Sequence, residues 1–159
     1  MSTKSGGKYA AGTSVAVGKS RDEIERTLRR YGADGFAYAQ NREGAVVAFT
    51  IHDRHVRFYL PLPGPADDEF WRTPTNLRRS ATSANNAWEQ AIRARWRALG
   101  LIIKAKLEAV EAGIVGFDVE FMPHLVLPDQ RTVGEAVAGQ LTAAIEGGPV
   151  PALMPGGPR

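Results

Sequence analysis

From about Ser83 to Gly113 apolar residues recur at helical spacing without interruption. On a wheel of about 100° per residue, Trp88, Ile92, Trp96, Leu99, Ile103, Leu107 and Val110 form one broad apolar face. Ala91, Ala94, Ala98, Leu101, Ala105 and Ala109 form a second face of small residues, and Glu89, Gln90, Arg93, Arg97, Lys104, Glu108 and Glu111 a narrow polar stripe. A helix apolar over so much of its circumference is expected to pack on more than one side. The alanine face would admit a second backbone, from this chain or from another copy.

Upstream the period changes to two. Phe36 to Ala39, Ala45 to Ile51 and Val56 to Leu62 read as strands. Asn41–Gly44 and His52–His55 separate them and are short enough for hairpin turns. This predicts an antiparallel β-meander with one face to cover, and the long helix is the natural cover. Before the meander, Ser20-Arg-Asp-Glu23 has the form of a capping box. Ile24, Leu28 and Tyr31 then share a face, and Gly32 stops the helix. Thr13 to Val17 reads as a short extended segment, and residues 1–12 as a flexible arm. Residues 61–83, with four prolines and the pair Phe70-Trp71, read as a linker loop within a single 13–148 domain. Phe117–Phe121 suits a helix or a strand, and Leu125–Leu127 is a strand stub. Thr132-Val-Gly-Glu135 caps a helix carrying Val133, Val137, Leu141 and Ile145 on one face. The tail, 149–159, is rich in Pro and Gly and reads as extended. The expected fold is α+β: an N-terminal helix, a three-stranded antiparallel meander, a long helix across the sheet, and a small C-terminal helical unit.

Composition narrows the chemistry. The absence of cysteine excludes disulfides, thiolate nucleophiles and sulfur-bound metals. No apolar run approaches the length of a membrane span, and the polar N-terminus lacks a signal-peptide core. No membrane partner and a cytoplasmic location are expected. The net charge of +3 permits an anionic partner without requiring one. Gly12 followed by Gly18-Lys19-Ser20 approaches a phosphate-binding loop, but five residues separate the glycines where the motif needs four. His52 and His55 would not easily share a cation from a tight turn, and His124 is remote in sequence, so no metal is expected. No catalytic triad, paired carboxylate or cofactor fingerprint emerges. A non-enzymatic protein without cofactor is the expectation.

Three groups of residues invite a functional reading. Arg54, His55, Arg57 and Tyr59 interleave charge and aromatic surface around the second hairpin, and Trp71, Arg78 and Arg79 could extend it from the linker. Such a surface binds single-stranded nucleic acid by phosphate neutralisation and base stacking, although hairpin tips are often polar for no other reason. Arg93, Arg97 and Lys104 could track a phosphate backbone. The plainer alternative is a solvated face with pairs such as Glu89–Arg93 and Lys104–Glu108, worth about 0.3–0.5 kcal/mol each. Arg95 and Lys106 fall inside the broad apolar face. Charges there must pair, reach an edge, or meet a ligand, so they are either structural or a possible anion site.

The stretches K-S-R-D-E-I-E-R-T-L-R-R-Y-G-A at 19–33, V-R-F-Y-L-P-L-P at 56–63, R-W-R-A-L-G-L-I-I-K-A-K-L-E-A-V-E-A-G at 95–113 and L-P-D-Q-R-T-V-G-E at 127–135 resemble a family of small proteins encoded by phages and prophages, notably of actinobacteria. The resemblance implies a phage setting and carries no assigned activity. In order of elements alone, the chain is also similar to ring-forming single-strand annealing proteins, an analogy of fold and not of motif. The leading expectation is a phage-related single-stranded DNA-binding or annealing protein, oligomeric through the alanine face. The alternatives are an effector that binds a host protein or sequesters a small anionic nucleotide, and a structural assembly protein.

Overall fold

The computed structural model describes residues 7–148, with side chains from Val17 onward. Its elements are α1 (Gly7–Arg30), β1 (Gly35–Gln40), β2 (Gly44–Ile51), β3 (Arg54–Pro61), α2 (Asp68–Trp71), α3 (Ala81–Glu111), α4 (Phe117–Glu120), a short 3-10 turn (Met122–His124) and α5 (Val133–Gly147). The α+β architecture is as the sequence patterns predict.

The sheet is a meander in the order β1-β2-β3, antiparallel throughout. Its register pairs Phe36 with Phe49 and Val47 with Phe58. Alternation therefore points Val47, Phe49, Ile51, Val56, Phe58 and Leu60 toward α3, and all six are buried. The second hairpin turns on His52 and Asp53, both with positive φ (50° and 58°). Positive φ at both central residues is what a two-residue turn needs to match the strand twist. In the first hairpin, Asn41 Oδ1 accepts from the backbone N–H groups of Glu43 and Gly44 at 2.9 and 3.0 Å.

Ile92, Trp96, Leu99, Ile103 and Leu107 of α3 are buried against this face, as the wheel predicts. Ser80 caps the helix, its side chain accepting from Ser83 N, and Gly113 follows it at φ 71°. The alanine face is left open: Ala94, Ala98, Leu101 and Ala105 are exposed.

Two expectations are corrected. The first helix does not begin at Ser20. It runs from Gly7, so Ser20 lies mid-helix, and neither the extended segment at 13–17 nor the 7–12 part of the flexible arm is seen. Val17, Ile24 and Leu28 are buried at helical spacing, so burial of one continuous face prevails over the local capping signal. Residues 1–6 of the expected arm, and the 149–159 tail, lie outside the described residues. The 61–83 linker is likewise more ordered than expected. It contains α2, which buries Phe70, and a bridge between Arg72 and Arg78.

Helix α1 lies beside α3 and runs in the same direction. Arg21 sits over the Trp96 ring, and further along a Cβ at Gly100 would lie 3.4 Å from Ile24. At the C-terminal side, Leu125 and Val126 close the outer edge of β3, with Val126 N donating to His55 O at 2.8 Å. The Thr132–Glu135 capping box is complete, but Val137, Leu141 and Ile145 of α5 stay exposed.

Candidate functional site

The two ends of the helix–sheet sandwich differ. At the end formed by the second hairpin and the last turns of α3, Phe121 is fully buried against Phe49, Phe58 and Phe117. Lys106 Nζ donates to Glu120 Oε1 at 2.9 Å and to the Glu120 carbonyl at 3.2 Å. Arg54 makes two hydrogen bonds to Asp118, at 2.9 and 3.0 Å, which hold the Asp118 carboxyl below its ordinary range. His124 stacks on Phe58 with centroids 3.9 Å apart. Burial, then the Lys106 charge, lowers its pKa from the usual 6.5. This end is filled and its charges are paired.

Among the described residues the opposite end is open. A groove of about 940 Å³ lies between α1, the first hairpin, the Leu62–Pro65 segment and the first turns of α3. Val17, Leu62, Pro63, Trp88 and Ile92 supply apolar wall, and Arg21, Tyr38, Gln40, Arg42 and Glu89 supply chemistry. Trp88 is anchored by its indole N–H, which donates to Pro63 O at 2.8 Å. The Arg21 guanidinium lies between the rings of Tyr38 (4.1 Å) and Trp96 (4.8 Å) and donates to Gln40 Oε1 at 2.6 Å. A guanidinium stacked and hydrogen-bonded in this way presents a fixed cation with little ordering entropy left to lose. Arg42 and Tyr38 are exposed at the rim, whereas Glu89 is only 7% exposed. The groove thus has a basic, aromatic mouth and a carboxylate at its depth.

The residues singled out from sequence are dispersed. Arg54 is occupied by Asp118. Arg57 donates to Gln130 O at 2.7 Å and to Glu135 at 3.1 Å. The Glu135 carboxyl is lowered chiefly by its hydrogen bond from the Thr132 backbone and further by Arg57. His55 bonds Thr50, and His52 meets the edge of Phe117. Tyr59 is exposed on the sheet face away from α3, across from Val46. Trp71 is tied to Pro65 O at 3.0 Å, and Arg78 and Arg79 belong to the ordered loop beside it. Arg93 and Lys104 lie 3.9 and 3.7 Å from Glu89 and Glu108. Arg97 and Lys104 line a smaller recess between α1 and α3.

Arg95 and Lys106 do not form one anion site. Arg95 donates to Pro61 O at 3.0 Å near the open end, and Lys106 is paired with Glu120 at the closed end. Their placement on the apolar face is explained by partners from other elements, which a helical wheel cannot contain.

Sequence reasoning missed Arg21, Tyr38, Gln40 and Arg42, and treated Glu89 as part of a solvated stripe. One signal was available for Arg21: it shares the face of Val17, Ile24 and Leu28.

No protein-family model, curated protein or solved structure matches the chain. Among the described residues no helix is long and apolar enough to cross a membrane.

Proposed function

We propose that this α+β protein binds nucleotide units, foremost those of single-stranded nucleic acid, in the open groove, in the phage setting that the sequence resemblance implies. The observation that carries the proposal is the groove itself, where the Arg21 guanidinium lies 4.1 Å over the half-exposed Tyr38 ring and donates to the Gln40 amide, with Arg42 on the same lining. Cations for phosphate, an aromatic ring for stacking and an amide for a base edge are the components of single-strand sites. The basic residues on β3 and α3 contribute little to the proposed site, because most of them already hold carboxylates or carbonyls.

The test is fluorescence anisotropy with labelled single- and double-stranded oligonucleotides across a salt series. Each phosphate neutralised on a single strand contributes about −0.7 to the slope of log K against log salt. Two arginines therefore predict a shallow slope of about −1.4, with single strands preferred. No binding at low salt, or binding indifferent to salt, would overturn the proposal.

A further inference from the structure

The two margins of the sheet differ. The outer margin of β3 is closed by Val126, whose N–H donates to His55 O at 2.8 Å. The outer margin of β1 has no pairing segment among the described residues. Asn41 N–H donates to Gly44 O at 2.9 Å, and in this register the alternation of an antiparallel ladder turns the backbone groups of Gly35, Ala37 and Ala39 toward β2. The N–H and C=O groups of Phe36, Tyr38 and Gln40 therefore point away from the sheet. Apart from the half-buried Phe36, every residue of β1 is exposed. Natural sheet edges are guarded by a charge, a proline or a bulge. Gly35–Gln40 contains neither charge nor proline, and its pairing with β2 runs without a bulge.

We infer that this edge pairs with the same edge of a second copy, making one continuous antiparallel sheet across a two-fold dimer. Identical margins close on each other only about a two-fold axis. With that axis perpendicular to the sheet, the strands run antiparallel and both helical layers stay on one face. Only outward-pointing residues can exchange backbone hydrogen bonds across the junction. Centring the axis on Tyr38 sets Phe36 opposite the partner's Gln40 and Tyr38 opposite the partner's Tyr38, so each outward N–H and C=O of the strand is used. The same register has an independent consequence. It brings Asp34, just before β1, beside the partner's Arg42, just after it, on both sides of the axis. Asp34 and Arg42 are exposed, and neither makes an ion pair among the described residues. This self-complementarity of charge selects a second copy as the occupant, because a strand from an unrelated protein has no built-in match to that spacing. On the face away from α3, Ala37 meets the partner's Ala39, so neither bulk nor like charge opposes the pairing. An exposed ion pair is weak, and Arg42 can still exchange its carboxylate for a phosphate. The inference stands apart from the nucleotide reading of the groove.

The experiment is sedimentation equilibrium of the full chain over about two decades of concentration, with backbone amide exchange followed in parallel. The mass should rise with concentration from 17.2 kDa toward twice that value. The amides of Phe36, Tyr38 and Gln40 should exchange more slowly as the dimer fills. Asp34→Arg sets like charges together at both ends of the junction and should weaken association by about tenfold. Combining it with Arg42→Asp reverses both partners and should restore association. If the variants do not fold, amide exchange in the natural chain decides without them. A single-chain mass at every concentration overturns the inference. So does a dimer in which those amides exchange as fast as in dilute protein, which would move the interface elsewhere, such as the exposed alanine face of α3. Association unchanged by Asp34→Arg overturns the register.

Discussion

The closed and open ends of the sandwich use similar residue types to opposite effect. Each has aromatic rings, a basic side chain and a carboxylate. At the closed end Phe117 and Phe121 stack with centroids 4.6 Å apart, and Lys106 and Glu120 meet at 2.9 Å. Those groups satisfy one another. At the open end the Arg21 cation is held over rings by one amide, Glu89 has a 3.3 Å hydrogen bond from Asn85 and Arg93 at 3.9 Å, and Tyr38 is half exposed. Satisfied clusters stabilise a fold, whereas clusters with spare acceptors, donors and ring surface are suited to a ligand. On the proposed reading, stability lies at one end and recognition at the other.

The largest effect should come from emptying the closed end. Phe121→Ala removes a fully buried ring from three aromatic neighbours and should cost about 3–5 kcal/mol in urea unfolding. Oligonucleotide affinity of the remaining folded protein should be unchanged. A stability loss under 1 kcal/mol would show that this end is not the anchor.

Next in size is Lys106→Met. The pair is only about three-quarters buried, with side-chain exposures of 23% and 26%, so the cost should be about 1–2 kcal/mol, below the value for fully buried pairs. Adding Glu120→Gln should recover part of it, because the uncompensated carboxylate is removed. Lost binding with intact stability would return Lys106 to the candidate ligand residues.

A smaller effect concerns pH. His124 has a folded pKa below its unfolded value of 6.5. The unfolded chain therefore binds the proton first as pH falls. The stability associated with the neutral ring is complete above that value and is lost progressively below it, until the folded ring also protonates. His124→Phe should flatten the stability profile from pH 7 to 5. The lowered carboxyls of Asp118, Asp129 and Glu135 act in a lower window, their contribution being present above their unfolded values and lost as pH falls through the folded ones. An unaltered slope in the His124 variant would assign the pH dependence elsewhere.

The smallest change in stability is expected at the rim of the groove. Arg42→Ala should alter unfolding free energy by less than about 0.5 kcal/mol. It should nevertheless reduce the salt slope of single-strand binding by about 0.7. Lys104→Ala, on the exposed stripe, should match its stability and leave the slope nearly unchanged.

The sequence by itself determined the elements whose signals are local and periodic. The period-two runs of β1 to β3, the buried face of α3 from Ile92 to Leu107 and the Thr132 capping box all match the structure, because each is set by backbone geometry acting over a few residues. The start of α1 was misread, since Ser20 carries a local cap signal that burial of Val17 overrides. The tertiary structure alone decided the candidate site. Arg21, Gln40 and Glu89 line one groove only once α1, the first hairpin and α3 converge, and no spacing along the chain encodes that arrangement. It also decided which charges are occupied: Arg54 and Asp118 are 64 residues apart, and Arg57 and Glu135 are 78 apart. Interleaved arginines look like a free basic surface until long-range partners neutralise them, because a charge's availability depends on everything packed near it and not on its neighbours in sequence.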